Sequence, residues 1–400
     1  MARLQRGEAS LTAVSRVLAT LATDEHADSV AAFFRAAWGE NLTAEVVLAG
    51  WRKAAAENGA APGEVPPTAI VLEGSRVIGY CGSIPHRLWD GVAEHPAYWV
   101  KGLMVLPEYR RGPIGFLVGK ELATQLTRTT ALVVAPAARR LFSALGYTDL
   151  GAVTNFVRPL RLASLARRLD AAELGLGLPR WLTAGVRVAQ RAGVARLAGG
   201  VVGLALDVAA GARGRAPSWL TTACAVDLPS RDELDELWHD ARGAMAASPV
   251  RDGMYLRWRY GADAAEGGAA ENRYSFITAR DGQRLVGVAA LLRPKAMSDP
   301  RLRGAHVATI SDIVFAPGHT DVGLAVLAGV ERVARSAGAD AVLCTTSHRA
   351  LARLLSRRSY LPLPGNVHFF LRDVSASARW PRDLASWWLA RGDSAADEVF

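Results

Sequence analysis

Residues 98–125, YWVKGLMVLPEYRRGPIGFLVGKELATQ, decide the fold of this chain. The run that opens the stretch is almost continuously apolar, as in a strand that is buried on both faces. Pro107 ends the run, and a basic, glycine-containing loop follows it. Phe116, Leu117 and Leu122 then recur at the spacing of an amphipathic helix. The stretch is therefore predicted to be a strand, a loop and a helix.

The loop in this stretch has the features of an anion site. The first N–H groups of a helix have no partner within the helix, and the helix dipole favours negative charge at that end. Arg110 and Arg111 precede the helix and add side-chain donors that suit phosphate. The pattern predicts that a phosphate group binds where the helix begins.

The loop resembles the coenzyme A pyrophosphate loop of the GNAT N-acetyltransferases, whose pattern is Arg/Gln-x-x-Gly-x-Gly/Ala. Arg110 and Gly115 fit the two ends of that pattern, and Pro113 replaces its middle glycine. Proline suits the first turn of a helix, but it has no N–H, so one hydrogen bond to phosphate is lost. The resemblance implies an acyl-CoA co-substrate, acetyl-CoA in the first place. The residues that it assigns to coenzyme A are Leu103, Met104, Val105, Arg110, Arg111, Gly112, Pro113, Ile114, Gly115 and Phe142.

The elements around the loop follow the order of that family's fold. Hydrophobic periodicity predicts helices at 24–38 and 44–56, followed by three strands, the third of which is the opening one. After the loop and its helix come a strand, a helix at 136–145 and a last strand. This ααβββαβαβ order, over residues 24–160, is similar to the GNAT fold. The preceding arm, residues 1–22, is predicted to be mobile or loosely helical.

The pattern of the first 160 residues returns in the second half of the chain. Gly79 corresponds to Gly287, 208 positions later, and Arg158 corresponds to Arg372, 214 positions later. Offsets that drift so little indicate two copies of one fold, a layout that tandem GNAT proteins have. Residues 251–260, RDGMYLRWRY, resemble a segment of GNAT-like proteins from cell-surface polysaccharide gene clusters.

The predicted fold class is α+β, with two tandem GNAT folds, each a mixed, mostly antiparallel sheet flanked by helices. Residues 1–160 are predicted to form an acyl-CoA-binding domain and residues 220–400 a degenerate second domain. Residues 161–219 have helical periodicity and many arginines, and they are predicted to be a helical connector. Either this connector packs between the domains, which we favour, or it contacts a membrane surface or a partner.

The second copy differs from the first where chemistry is expected. Its loop, residues 318–323, has no arginine and is two residues shorter, so it is predicted not to bind coenzyme A. The aromatic and arginine side chains of residues 251–260 suit either a sugar acceptor or the packing of a helix on the second sheet. Residues 387–393 carry too much aromatic surface for a free tail and are predicted to dock.

Composition restricts the partners of the chain. The sequence has 47 Lys and Arg against 38 Asp and Glu, a net charge of +9. Such a balance fits a generally basic surface, an anionic ligand such as coenzyme A, or an anionic membrane. The arginines are scattered without a basic and aromatic platform, which argues against nucleic acid. Three isolated cysteines argue against a structural metal, and Arg16 interrupts any signal-like segment, so a cytoplasmic protein is expected.

Acylation of an amine needs a base for the nucleophile and an acid for the leaving thiolate. The family's tyrosine acid has no counterpart, because Phe142 holds its position. Tyr147 is a candidate acid or a core aromatic residue. His86 is a candidate base near the central strand, or a turn residue. Asp312, on the central strand of the second copy, is a candidate base in a shared cleft or a structural hydrogen-bond anchor.

The resemblance implies an acyl-CoA-dependent N-acyltransferase. The acceptor is predicted to be a primary amine on a small molecule or an amino sugar. The missing tyrosine leaves a non-catalytic acyl-CoA-binding or scaffold protein as the alternative. A transferase that uses aminoacyl-tRNA is a third alternative, and it predicts no coenzyme A binding.

Overall fold

The computed structural model describes residues 17–56, 65–133, 135–162, 164–165, 195–214, 217–261, 273–296, 304–375 and 378–395. The strands are β1 (Val17–Leu21), β2 (Ala69–Glu73), β3 (Arg76–Trp89), β4 (Glu94–Val105), β5 (Arg128–Val133), β6 (Thr148–Pro159), β7 (Leu220–Ala225), β8 (Ser248–Pro249), β9 (Tyr274–Asp281), β10 (Arg284–Ala296), β11 (His306–Phe315), β12 (Ala341–Thr346) and β13 (Leu361–Asp373). The α-helices are α1 (Ala27–Trp38), α2 (Ala44–Ala56), α3 (Ile114–Gln125), α4 (Pro136–Ala144), α5 (Ala195–Arg213), α6 (Arg231–Arg242), α7 (Gly253–Tyr260), α8 (Thr320–Ser336) and α9 (Arg349–Arg357).

The order of elements in the N-terminal half, residues 17–159, is repeated in the C-terminal half, residues 220–373. Each half has a strand, two helices, three strands, a helix, a strand, a helix and a last strand. The short strand β8 is an addition between the two helices of the second half. The repeat that the sequence offsets indicate is therefore visible in the secondary structure.

The described strands form one sheet that runs through both halves. Its order is β1-β2-β3-β4-β5-β13-β6-β12-β11-β10-β9-β7, and β8 pairs with β3. The last strand of each half lies across the boundary, because β13 pairs with β5 and β6 pairs with β12. The strands β6 and β13 also pair with each other. The halves have thus exchanged their final strands, which the sequence did not predict.

Helices cover both faces of the N-terminal half of the sheet. α3 packs on one face so closely that a Cβ at Gly79 would lie 2.8 Å from Ile114 Cγ2. α1 covers the other face, where the rings of Phe33 and Tyr80 stack with centroids 6.1 Å apart. Adjacent residues of a strand point to opposite faces, so Gly79 and Tyr80 define the α3 face and the α1 face.

The prediction for the N-terminal arm is wrong for its last residues. Residues 17–21 form β1, which pairs antiparallel with β2 in the register Val17↔Glu73 to Leu21↔Ala69. Without β1, the edge of β2 would have unpaired N–H and C=O groups. The five residues of β1 pair with these groups, although their apolar pattern is weak. Residues 1–16 lie outside the described residues.

The described part of the predicted connector is the helix α5, and it packs against both halves. Asp207 of α5 accepts hydrogen bonds from Arg158 of β6, at 2.5 Å, and from Arg335 of α8, at 3.1 Å. Residues 166–194 of the connector lie outside the described residues. Among the described helices none combines the length and the apolar character that crossing a bilayer would require.

Candidate active site

The strands β4 and β5 pair only at their beginnings and then diverge. Their parallel ladder consists of Tyr98↔Thr129 and Trp99↔Thr130. Beyond Trp99, β4 continues to Val105 and β5 to Val133 without pairing to each other. We call this opening the first gap. The backbone N–H and C=O groups on this edge of β4 have no partner in β5. Because such groups require hydrogen bonds, the edge can accept an extended ligand.

A β-bulge lies in β4 at the start of the first gap. Gly82 of β3 faces Lys101, whereas Tyr80 faces Met104, so β4 carries one extra residue at this point. Gly102 has φ +67°, a value that suits glycine because it has no Cβ. A bulge re-aims the backbone groups around it.

The predicted phosphate loop stands at the open end of the first gap. A 3₁₀ turn at Pro107–Tyr109 leads to Pro113, which is the N-cap of α3. Arg110 is exposed, and its Nε donates to the carbonyl oxygen of Val105 at 3.1 Å. Arg111 is also exposed. Two guanidinium groups and the start of a helix therefore meet at the end of β4.

The structure brings most of the residues predicted for coenzyme A together along this gap. Leu103, Met104 and Val105 form its β4 edge, and the loop residues Arg110 to Gly115 follow directly. Phe142 is placed elsewhere. Its ring is 4% exposed and packs edge-to-face on Tyr147, with centroids 4.8 Å apart, in the core on the α3 face.

Tyr147, the predicted acid, is buried at the closed end of the gap. Its hydroxyl oxygen accepts a hydrogen bond from Thr129 Oγ1 at 2.8 Å, and Thr129 is paired with Tyr98 of β4. Burial raises the pKa of Tyr147 to about 12. Of the two alternatives predicted for Tyr147, this position fits a core aromatic residue and not an acid at the surface of the gap.

His86 lies on the α1 face beside the last paired residues of β4 and β5. Its Nε2 lies 2.9 Å from Thr130 Oγ1, and its ring stacks on Trp99 with centroids 4.7 Å apart. Burial lowers the pKa of His86 to about 3, so its imidazole is neutral at neutral pH. Within the described structure, His86 Nδ1 and Trp99 Nε1 are both buried without a protein partner.

Asp312 lies in the C-terminal half, in a buried ion pair that the sequence did not predict. Its Oδ1 accepts from Arg251 Nε at 2.7 Å, and the two side chains are 1% and 0% exposed. Burial raises the pKa of Asp312, although Arg251 opposes this shift. Asp393 of the C-terminal segment pairs with the same guanidinium at 2.8 Å. Asp312 therefore has the surroundings of a structural anchor.

A second gap lies between β11 and β12. These strands pair from Val307↔Ala341 to Ile310↔Cys344 and then part. The C-terminal segment occupies the opening, since Gly392 N donates to Ser311 O at 2.6 Å and Trp388 Nε1 donates to Ile313 O at 3.0 Å. The prediction that residues 387–393 dock is confirmed.

The start of α8 has a different charge from the start of α3. The residue before α8 is His319, and Asp321 lies in the first turn, where its Oδ1 accepts from Val322 N at 3.0 Å. The first turn of α8 thus carries the carboxylate of Asp321, whereas the arginines Arg110 and Arg111 precede α3. This arrangement supports the prediction that the second loop does not bind a phosphate group.

Sequence analysis missed an aromatic cluster on the α1 face of the first gap. Phe34 packs on Trp38 with centroids 5.0 Å apart and on Tyr80 at 4.9 Å. Trp38 is 38% exposed, and a Cβ at Gly102 would lie 3.6 Å from its Cη2. The signal in the sequence was the apolar periodicity of α1, which indicated a core-facing helix and not a lining.

The described residues contain no group of three or more His, Cys, Asp or Glu side chains that could hold a metal ion. The segment 251–260 contributes Arg251 to the buried ion pairs and then forms α7, whose Tyr255 and Leu256 are buried in the core of the C-terminal half. The segment therefore packs as a helix in the core, as in the second of the two alternatives predicted for it.

Three solved structures are similar to the whole chain. A GCN5-related N-acetyltransferase from Anabaena variabilis is 14% identical, with 90% of this chain and 74% of that one covered and a TM-score of 0.55. A probable N-acyltransferase from Enterococcus faecalis is 9% identical, with 93% and 74% covered and a TM-score of 0.54. Saccharomyces cerevisiae N-myristoyltransferase with bound myristoyl-CoA is 12% identical, with 92% and 85% covered and a TM-score of 0.53.

No protein-family model and no curated protein sequence matches this chain. The structural similarity shows that the chain has the GNAT fold, as its loop predicted. Function has to be argued from the site, because one fold supports different activities.

Proposed function

We propose that this protein is an acyltransferase that moves an acyl group, acetyl in the first place, from coenzyme A to a primary amine of a small molecule or an amino sugar. The observation that carries the proposal is the first gap, an unpaired strand edge that ends at two exposed arginines and a helix N-terminus. An acyl-CoA has the matching parts in the same order, namely a thioester, an amide-bearing arm and a pyrophosphate. The three similar structures are acetyl-, acyl- and myristoyltransferases by name, which supports acyl transfer in general.

In this proposal the donor binds along β4. The amides of the pantetheine arm pair with the backbone of Leu103 and Val105, as an added strand would. The pyrophosphate receives hydrogen bonds from the first turn of α3 and from Arg110 and Arg111. Pro113 contributes no N–H there. The net charge of +9 favours the approach of so anionic a ligand.

The chemistry is the attack of the amine nitrogen on the thioester carbon. The amine loses a proton, the carbon–sulfur bond breaks, and the leaving thiolate takes up a proton, so that an amide and free coenzyme A result. A backbone N–H of the bulge at Gly102 would donate to the oxyanion that forms, a contribution of about 3 kcal/mol where single donors have been removed in other acyl-transfer enzymes.

The acceptor amine approaches from the α1 face in this proposal. α3 and the phosphate loop occupy the opposite face, whereas Trp38 and Lys101 stand exposed beside the bulge on the α1 face. Of the three residues predicted for proton transfer, His86 lies closest in the sheet to the gap, through Thr130. We propose His86 as the proton-transfer candidate to test, since Tyr147 packs on Phe142 in the core and Asp312 is paired with Arg251, which supports structural roles for these two residues.

Calorimetry with acetyl-CoA tests the donor half of the proposal. One mole should bind per chain, and the double variant Arg110→Ala with Arg111→Ala should lose most of the affinity. Arg353→Ala with Arg357→Ala is the matched control, because both arginines are exposed on α9, away from the first gap. Absence of binding by acetyl-, propionyl- and longer acyl-CoA would overturn the proposal.

Release of free thiol across a panel of amines tests the transfer half. A non-catalytic acyl-CoA-binding protein is the second candidate, because Phe142 stands where the family has its tyrosine acid and β4 has no carboxylate beyond Glu94. Binding of acetyl-CoA that Arg110→Ala weakens, together with no thiol release by any amine, would favour this second candidate.

A further inference from the structure

The C-terminal segment passes through the second gap as an extended ligand would. We call residues 387–393 the plug. Its Trp388 is fully buried and packs edge-to-face on Phe315 of β11, with centroids 5.3 Å apart. Together with the hydrogen bonds to Ser311 O and Ile313 O, these contacts use the edge of β11 that corresponds to the free edge of β4.

The guanidinium group of Arg251 connects the plug to β11. Nη2 donates to the two carboxylate oxygens of Asp393 at 3.0 and 2.8 Å, and Nε donates to Asp312 at 2.7 Å. Nη1 donates to Ser248 Oγ and to Pro249 O, both at 2.8 Å. All three nitrogens of the guanidinium group therefore donate to protein oxygens, which fixes its geometry.

The residue beside Asp393 fits its place only as glycine. A Cβ at Gly392 would lie 1.8 Å from Tyr260 Oη and 2.9 Å from Ser311 O. Tyr260 Oη is itself held by Asp312, at 3.3 Å. A side chain at this position would have to expel the plug from the second gap, since neither neighbour is free to move.

The plug also reaches the first gap. The turn Asp393–Ala395 lies against β4 and β5. From the other end of the plug, Trp387 packs on Phe369 with centroids 4.9 Å apart, and Phe369 packs on Trp99 at 6.1 Å. Trp99 is the last residue of β4 that pairs with β5. One end of the plug therefore lies against the strands that form the first gap, and the other end reaches Trp99 of β4 through Phe369 of β13.

We propose that the plug is a permanent internal occupant of the second gap, and that Arg251, by seating it, is a positioning residue for the first gap. The second copy then contributes to acyl transfer by holding a wall of the reactive site instead of binding a second acyl-CoA. The effect on catalysis rests on the proposed acyltransferase activity, whereas the seating of the plug does not.

Limited trypsin digestion of Gly392→Ala tests the seating. Arg391 is 6% exposed in the seated plug, whereas Arg382 is exposed and serves as the internal reference. Cleavage after Arg391, relative to cleavage after Arg382, should rise roughly tenfold or more, because cleavage follows the population of the open form. Gly211→Ala is the control, since a Cβ there meets nothing within 4 Å. Unchanged protection of Arg391 in Gly392→Ala would overturn the seating.

Kinetics of Asp393→Asn and Arg251→Lys test the positioning role. Both substitutions keep the approximate size of the side chain and part of its hydrogen bonding, so both variants are expected to fold. Circular dichroism checks the folding before kcat is compared. With donor affinity within about twofold of the unaltered chain, kcat should fall roughly tenfold or more, since small misplacements in a reactive site cost up to about 100-fold. Arg251→Lys should retain more activity than Arg251→Gln.

Each outcome of the kinetic test decides one point. A released plug with unchanged kcat would overturn the positioning role. An equal loss of donor affinity and kcat would also overturn it, because it would show general damage to the first gap. Absence of acyl-CoA binding by the unaltered chain would overturn the proposed function alone, and digestion after Arg391 would still decide whether the plug is seated.

Discussion

The first and second gaps have the same place in two copies of one fold and different contents. Between β4 and β5 the described residues form no ladder beyond Trp99, and the edge of β4 ends near Arg110 and Arg111. Between β11 and β12 the edge is bonded to the chain's own plug, and the helix that follows begins with a carboxylate, Asp321. The N-terminal half thus has the features that suit an anionic donor, whereas the corresponding gap of the C-terminal half holds a segment of the chain itself. The predictions below address this difference.

The largest effect is expected where the second gap is tied to the plug. Arg251→Met leaves Asp312 and Asp393 buried without a cation, and such losses cost about 3–5 kcal/mol of unfolding free energy. Arg52→Met is the control, because Arg52 pairs with Asp24 at the surface, with side chains 61% and 59% exposed, and should cost less than about 1 kcal/mol. Urea denaturation measures both. Equal costs for the two variants would show that the plug is not held by Arg251.

The next effect concerns the first gap and is a loss of affinity. Arg110→Ala with Arg111→Ala removes two charge-assisted contacts, each worth about 1.5–3 kcal/mol, so the Kd for acetyl-CoA should rise about 100-fold or more. His319→Ala with Asp321→Ala changes the corresponding positions of the second copy and should leave the Kd unchanged. Calorimetry measures both variants. A clear change of Kd or stoichiometry in the second pair would show that both gaps bind the donor.

The third effect is a pH dependence of stability. Each half has a histidine that packs on a tryptophan: the buried His86 on Trp99 and the half-buried His348 on Trp388. Burial lowers the pKa of His86 to about 3 in the folded chain, whereas it is near 6.5 in the unfolded chain. The unfolded state therefore takes up the proton first, and stability is full above pH 6.5 and falls as the pH drops through the window from 6.5 to 3.

His86→Gln should reduce the difference in unfolding free energy between pH 7.5 and pH 4.5 by about 2.5 kcal/mol, since each pKa unit corresponds to about 1.4 kcal/mol. His348→Asn should act in the same direction, because burial lowers the pKa of His348 to about 4. Urea denaturation at the two pH values measures these differences. An unchanged difference in His86→Gln would mean that its imidazole is not kept neutral by burial.

The smallest effect compares two equivalent glycines near the helix starts. A Cβ at Gly323 would lie 2.5 Å from Leu354 Cδ1, whereas a Cβ at Gly115 would lie 3.4 Å from Leu141 Cδ2. Gly323→Ala should therefore cost about 1–3 kcal/mol by overpacking, and Gly115→Ala should be close to neutral. Thermal unfolding checks both. A larger cost for Gly115→Ala would contradict the looser packing of the first loop.

Local patterns predicted the parts of the fold that local physics determines. The opening strand, its loop and α3 follow from an apolar run, a proline stop and helical spacing within 28 residues. α2 was predicted at its observed bounds, residues 44–56. β1 and β7 are edge strands with weak apolar patterns, and the sequence did not reveal them, because an edge strand gains its stability from the neighbour that it pairs with.

Distant pairings could not be predicted from the sequence. Arg251 and Asp393 are 142 residues apart, and no local pattern links them. Asp312 was recognised as unusual because a carboxylate in an apolar strand requires a partner, but the partner's identity depends on the folded chain. The position of Trp38 beside Gly102 could not be predicted either. Periodicity predicts which residues of a helix face the sheet, but it does not predict which residues of the sheet they meet.

The exchange of final strands has a consequence for the synthesis of the chain. Val133 of β5 pairs with His368 of β13, which leaves the ribosome 235 residues later. At about 5–20 residues per second, the edge of β5 stays open for roughly 10 to 50 s. An open strand edge invites pairing with other chains, so the N-terminal half is exposed to aggregation until β13 has been synthesised.

A nascent chain therefore cannot complete the N-terminal part of the sheet until β13 has been synthesised. Truncation before residue 361 would leave β5 and β6 without β13 between them. Expression of the first half alone is expected to give material that depends on chaperones or aggregates, and co-expression of the second half should rescue it. The exchange of final strands therefore makes the two halves a single folding unit.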